Sequence, residues 1–175
     1  MRKILFIALA ATALSAGTAG AGGVGIGAFG GMSLPLVQED QGNGSLYGLR
    51  VPVQVVPLLR AEPFWSTSAL GDKTVEVGGI SQTRTGSDVT TFGVNAILTM
   101  GGFYPYAGIG SAKFKRDSIE DSYTSYHFGL GFNIPLVPKV SVDLRAELQA
   151  AVKDGTSRKM GNLTLGASYN FLSMP

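Results

Sequence analysis

The stretch Val140–Val152 constrains this chain more than any other. Val140, Val142, Leu144, Ala146, Leu148, Ala150 and Val152 fall on one parity, and Ser141, Asp143, Arg145, Glu147, Gln149 and Ala151 fall on the other. Successive side chains of a strand point to opposite faces, so a period of two sets one face in an apolar medium and the other in a polar one. A helix would scatter the same charges around its whole circumference. The segment reads as a long strand between two different environments.

The same rhythm recurs. Tyr126, Phe128, Leu130, Phe132 and Ile134 alternate with His127, Gly129, Gly131 and Asn133; Tyr47, Leu49, Val51, Val53 and Val55 alternate with Gly48, Arg50, Pro52 and Gln54. Leu163, Leu165, Ala167, Tyr169 and Phe171 alternate with Asn162, Thr164, Gly166, Ser168 and Asn170. Weaker cases are Val24–Leu34, Leu59–Trp65 and Phe92–Leu98. In the glycine-rich 103–114, Ala107 and Ile109 read as outward, and Tyr106, Gly108 and Gly110 as inward. Eight strands are expected, at about 23–35, 45–56, 58–67, 88–98, 103–115, 122–134, 139–152 and 160–171. Longer polar connections (36–44, 68–87, 116–121, 153–159) alternate with tight turns at Pro57, at 99–102 and at 135–138. That is the pattern of an all-β, eight-stranded up-and-down antiparallel barrel, with loops at one end and turns at the other.

The composition of the two faces decides the environment. Charged residues are only 15 % of the chain and 25 of its 175 residues are glycine. On the four clearest strands the apolar face carries no charge, while the opposite face mixes Gly, Ser, Asn and Thr with a few charges. Small residues beside a few charges suit the crowded lumen of a narrow barrel. A strand tilted across a bilayer needs about 9–11 residues, and these are at least that long. Closure pairs the backbone groups that lipid would leave unsatisfied. A transmembrane β-barrel is therefore expected over a soluble exported one of lipocalin type. Trp65, Phe103, Tyr104, Tyr123, Tyr126, Tyr169 and Phe171 lie near strand ends and are expected in the interfacial girdles.

At the N-terminus, Arg2 and Lys3 precede the apolar run Ile4–Leu14, and small residues end in Ala19-Gly20-Ala21. This is the layout of a cleaved signal peptide over 1–21, followed by the barrel domain 22–175. Once Arg2 and Lys3 are set aside, basic and acidic residues balance, so no surplus is left to attract nucleic acid. There is no cysteine and hence no disulfide.

The pieces Pro105-Tyr106-Ala107-Gly108-Ile109-Gly110, Val142-Asp143-Leu144-Arg145-Ala146-Glu147-Leu148 and Leu165-Gly166-Ala167-Ser168-Tyr169-Asn170-Phe171 resemble the small eight-stranded bacterial outer-membrane barrels. The likeness is to the OmpX-like and OmpA-transmembrane-like "outer membrane protein beta-barrel" group and covers essentially the whole mature chain. It implies a place in the cell outer membrane of a Gram-negative bacterium, among outer-membrane lipid and lipopolysaccharide. It also implies folding by a barrel-assembly machinery that reads an aromatic near the end of the last strand. Tyr169 and Phe171 would carry that signal, although Leu172-Ser173-Met174-Pro175 follow.

Candidate chemistry is sparse. Gly25-Ile26-Gly27-Ala28-Phe29-Gly30 matches G-x-G-x-x-G, but a dinucleotide site needs a strand before it and a helix after it, and no helical pattern follows. His127 is the only histidine, so no metal or cofactor site is expected. Ser125 and His127 share a face and invite a nucleophile–base reading. Lipid A deacylases use such a pair on the outer wall, whereas His127 is read here as a structural lumen residue. Arg50, Arg60, Glu62, Asp143, Arg145 and Glu147 face inward by pattern, three of each sign, with His127 near the same depth. Buried charges persist when paired, so a salt-bridge network that plugs the lumen is expected. Lys113, Lys115 and Arg116 cluster near the loop end and are a candidate contact for lipopolysaccharide phosphates. The loop 68–87 is the expected place for a surface partner. The reading is a monomeric, non-catalytic outer-membrane barrel with a structural or surface-interaction role. The alternatives are a narrow porin-like channel or transporter for small or hydrophobic solutes and, third, a lipid-modifying barrel enzyme.

Overall fold

The computed structural model describes residues 23–37, 41–77, 80–116 and 119–172. The expected signal peptide, 1–21, lies outside them. Eleven strands follow in order: β1 (Val24–Pro35), β2 (Gly44–Arg50), β3 (Val53–Val56), β4 (Leu59–Leu70), β5 (Lys73–Val77), β6 (Ile80–Arg84), β7 (Asp88–Leu98), β8 (Phe103–Arg116), β9 (Ile119–Val137), β10 (Val140–Lys153) and β11 (Thr156–Leu172). All except β5 and β6 form one antiparallel sheet, and β11 closes it by pairing with β1 from Val24↔Leu172 to Pro35↔Met160. Because β2 and β3 together make a single stave, the ring has eight, each hydrogen-bonded to its neighbours in the chain. A closed ring leaves no unpaired edge, which is the condition for strands in lipid.

The alternation sorts side chains as expected on most staves. Leu144, Leu148, Phe128, Leu130, Phe132, Leu165 and Ile109 lie on the outer wall, each between 43 and 59 % exposed, while Asp143, Arg145, His127 and Tyr106 are buried inside. Tyr106 faces Gly129 and Tyr104 faces Gly131 across β8–β9. A Cβ at either glycine would run into the opposing ring, so glycine there makes room for a lumen aromatic.

Five expectations change. The second stave breaks at Val51-Pro52, because proline has no N–H to donate to a ladder, and the register against β4 shifts between Gln54 and Val56. Val53 is buried there, although the period put it on the outer face. The segment 153–159 is no long loop: β10 and β11 run on as a hairpin whose tip, Asp154-Gly155, has φ of 48° and 80°. Two positive φ values in an Asp-Gly pair are the demand of a tight type I′ hairpin. Likewise β8 and β9 extend to Arg116 and Ile119, and β9 runs through to Val137, shortening the expected 135–138 turn. Within 68–87 lies the separate hairpin β5–β6, paired from Lys73↔Arg84 to Val77↔Ile80. Finally, Tyr104 and Tyr123 point into the lumen, at 2 % and 8 % exposure, and leave the girdles to outward Trp65, Phe103, Tyr126, Tyr169 and Phe171. Their parity puts them beside inward Tyr106 and Ser125, and proximity to a strand end does not override it.

Candidate functional site

Among the described residues, the main concentration of polar chemistry lies inside the barrel, and it is layered along the axis. In the layer nearer the turn end, β2, β4 and β10 bring four charges together. The Arg50 guanidinium makes a two-pronged contact with Asp143, Nη1 donating to Oδ1 at 3.1 Å and Nη2 to Oδ2. Arg145 Nη1 and Nη2 donate to Glu62 Oε1 and Oε2 at 2.5 and 2.8 Å, and its Nε donates to Asp143 Oδ1 at 3.1 Å and to the Tyr104 hydroxyl at 2.8 Å. Each of the four is at most 7 % exposed. Parallel N–H···O pairs of this kind suit the planar guanidinium fork. The Arg145 guanidinium also lies 5.3 and 5.4 Å from the Tyr104 and Tyr106 ring centres.

Arg60 stands apart from these pairs. It sits over the Tyr104 ring at 5.3 Å, and its buried Nε has no hydrogen-bond partner. Glu62, two residues along β4, attracts it at longer range.

Glu147 organises the next layer. Tyr106 Oη donates to its Oε2 at 3.0 Å, Asn162 Nδ2 donates to its Oε1 at 2.9 Å, and His127 Nδ1 lies 3.2 Å from Oε1. The other ring nitrogen of His127, Nε2, is 2.9 Å from Ser125 Oγ. Gln149 Nε2 donates to Ser125 Oγ at 3.0 Å and to Thr91 Oγ1 at 3.1 Å, and Ser33 Oγ donates to Asn162 Oδ1 at 2.7 Å. Ser125, His127 and Glu147 thus stand in nucleophile–base–acid order, a relation the sequence spacing alone did not reveal for Glu147. Ser125 is, however, wholly buried, and its oxygen also accepts a hydrogen bond from Gln149. Between the two polar layers is a cavity with about 30 Å³ of room for water, bordered by Arg50, Glu62, Arg145, Glu147, Asn95 and Asn162. Arg50 Nε and Asn95 Oδ1, both buried without hydrogen-bond partners, border it, and the space suits a water or two rather than a solute.

Toward the loop end the lumen turns apolar. Leu70, Val89, Ala112, Phe114, Tyr123, Ala151 and Met160 form one buried cluster from six staves. Phe114 and Tyr123 meet edge to face at 5.0 Å, and the Arg158 guanidinium covers both rings at 4.7 and 5.3 Å. Sequence reading had taken the inward residues as mostly polar. Continuing the inward parity of β8 through Ala112 and Phe114, and of β9 back to Tyr123, would have exposed this layer.

The three rim cations, adjacent on β8, have different partners. Lys113 Nζ donates to Glu120 Oε1 at 2.7 Å, while Arg116 Nε donates to Ser87 Oγ at 3.2 Å, and that hydroxyl also accepts from Gln41. Lys115 is exposed, opposite Asp88 on one side and Glu120 on the other. The Lys113 bond holds the Glu120 carboxyl below its usual range. The bond from Lys153 does the same for Asp121 and raises the Lys153 ammonium.

A closed eight-stave ring with an apolar outer wall and a filled polar lumen defines a small membrane-spanning barrel. The chain belongs to the outer membrane protein beta-barrel domain family, which it matches over residues 4–171. Among solved structures it is similar to Neisserial surface protein A, at 14 % identity and a TM-score of 0.62, over 85 % of this chain and 97 % of that one. It is also similar to the N-terminal β-barrel domain of Pseudomonas aeruginosa OprF, at 18 % identity and a TM-score of 0.54, covering 87 and 99 % of the two chains. Ail, the attachment invasion locus protein of Yersinia pestis, matches at 19 % identity and a TM-score of 0.52, over 87 and 100 %, in a structure with the heparin analogue sucrose octasulfate. These likenesses establish the fold, and the family places the protein in the cell outer membrane. A further alignment, 25 % identical over 147 residues, is with the DNA-directed RNA polymerase subunit beta of Bifidobacterium adolescentis; the chain spans only 12 % of that protein's length, and none of its activity carries over.

Proposed function

We propose that this protein is a closed, non-conducting and non-catalytic outer-membrane barrel, monomeric, with its loop end toward the cell exterior and a structural or surface-interaction role. The observation that carries this reading is the filling of the lumen. The layer of Arg50, Glu62, Asp143 and Arg145, the layer around Glu147 and His127, and the apolar layer around Phe114 and Met160 follow one another along the axis. The porin-like alternative needs a continuous water path, and the lumen cavity at the level of the charges holds only a water or two. Planar-bilayer recording of the purified, folded protein tests the reading. Silence is the expected result, and steady ohmic current at millimolar to molar salt would overturn it.

Three further roles belong to the same reading. Lys115, exposed and flanked by Lys113 and Arg116, offers a phosphate contact to lipopolysaccharide, with Glu120 as its competitor. Outward Tyr169 and Phe171, with rings 5.3 Å apart on β11, serve as the signal to the barrel-assembly machinery. Residues 1–21 are removed on export, so the intact mass of the outer-membrane form is expected to begin at Gly22.

A further inference from the structure

The outer wall has a feature that lipid contact alone does not require. An open groove of about 700 Å³ crosses β9, β10, β11 and β1, walled by Phe128, Leu130, Leu148, Leu163, Leu34 and Leu36. Ala146 and Gly161 lower its floor. Ala146 pairs with Leu130 and Leu163, and Gly161 with Leu148 and Leu34, so a small residue sits beside large ones at each level.

Gly161 is not demanded by the barrel. A Cβ there would meet only the Leu36 side chain, at 3.6 Å, which is ordinary contact, whereas a Cβ at Gly31 or Gly44 would run into neighbouring backbone. Its lack of a side chain serves the groove. One level nearer the loop end the register aligns Tyr126, Ala150 and Lys159. Tyr126 is 41 % exposed on the outer wall, where an amphipathic ring marks the headgroup level. Lys159 is exposed on the same wall and, unlike Lys113 and Lys153, makes no ion pair among the described residues. An ammonium at headgroup depth above an apolar groove is complementary to a lipid phosphate above its chains. The groove spans four strands at about 4.8 Å spacing, wide enough for several chains under one headgroup.

From this juxtaposition we infer a selective site for a phosphorylated, multiply acylated glycolipid of the outer leaflet, the lipid A portion of lipopolysaccharide. Its chains lie in the Ala146–Gly161 groove and a phosphate rests on Lys159. The inference rests on the orientation proposed above, with the loop end outward. Lys159, on β11, is three staves away from the Lys113–Arg116 rim on β8.

The test is native mass spectrometry of the barrel released from nanodiscs that contain lipid A and phosphatidylglycerol together. The wild type is expected to retain one lipid A in preference to phosphatidylglycerol. Lys159→Gln lowers that retention roughly fivefold, the effect of one basic residue near a lipid surface. Gly161→Leu and Ala146→Leu abolish it by filling the groove, and Lys139→Gln, exposed at the opposite, turn end of the barrel, leaves it unchanged. Heat-dependent gel mobility identifies the folded variants, and if either leucine variant does not fold, Lys159→Gln decides. Equal retention of both lipids by the wild type would overturn the site, as would wild-type retention by a folded Gly161→Leu or by Lys159→Gln. Because ion conductance reads the lumen and lipid retention the outer wall, either reading can fail without the other.

Discussion

The two ends of the lumen fill the same narrow space by opposite chemistry. Toward the turn end, Arg50, Glu62, Asp143 and Arg145 are buried with nearly every donor assigned to an acceptor; toward the loop end, Val89, Ala112, Phe114, Ala151 and Met160 are buried with nothing to satisfy but volume. The charged layer depends on pairing, since a buried charge that loses its partner is costly while the intact pair adds little over an apolar substitute. The apolar layer depends on fit, and its cost of damage scales with the cavity left behind. In the reading proposed above, the two layers act as plugs with different failure modes.

The sharpest way to break the comparison is Glu62→Ala. It strips Arg145 of its two-pronged acceptor, and a loss of about 3–5 kcal/mol is expected in urea unfolding of the folded barrel. The double variant Glu62→Gln with Arg145→Met should regain most of that loss, and a double variant as weak as the single would show that the ion pair is itself the source of stability. Met160→Ala probes the other plug, with an expected cost of roughly 2–5 kcal/mol from lost burial and a residual cavity. No second substitution at a charged partner should rescue it. Either variant alone should remain silent in planar bilayers, because the other plug is intact. Gln149→Ala, between the two, removes donors to Ser125 and Thr91 and is expected to cost about 1–3 kcal/mol, read in the same unfolding series.

The smallest effect lies at the rim. Glu120 and Asp121 have carboxyls held below their usual range by the bonds from Lys113 and Lys153. A lowered folded-state pKa stabilises above the unfolded value and is lost as pH falls through the folded one. Lower amide protection, after correction for the intrinsic pH dependence of exchange, is therefore expected in the β8–β9 and β9–β10 loop-end segments below about pH 4, with the lumen layers unchanged. Protection insensitive to acid would show that these exposed pairs contribute nothing.

Much of the architecture was legible because its physics is local. Period two in 140–152 assigns each side chain to a wall without reference to any other strand, and Asp143, Arg145, Glu147 and Ala151 all lie inside. The site was legible as a set of residues and no further. Nothing in the sequence says that Arg50 takes Asp143 while Arg145 takes Glu62, since that follows from the stagger of β2, β4 and β10 around a closed ring. The loop-end layer was legible in principle. An inward Phe114 and an outward Phe128 are the same residue type, so composition does not separate them, but the parity set by Tyr106 on β8 and by His127 on β9 does. The Asp154-Gly155 turn, likewise, was present in the sequence as a hairpin signal and lay inside a stretch read as loop.

What the sequence alone determined is the strand period, the two-faced wall, the barrel class and the inventory of lumen charges, because each depends on neighbours one or two residues apart. What the tertiary structure decided is which charges pair, how the apolar layer packs, that Ser125, His127 and Glu147 fall into line, and that Tyr126 and Lys159 flank one groove. Those relations join residues up to 129 positions apart, such as Ser33 and Asn162. They exist only once closure of β11 onto β1 has fixed the register of every stave.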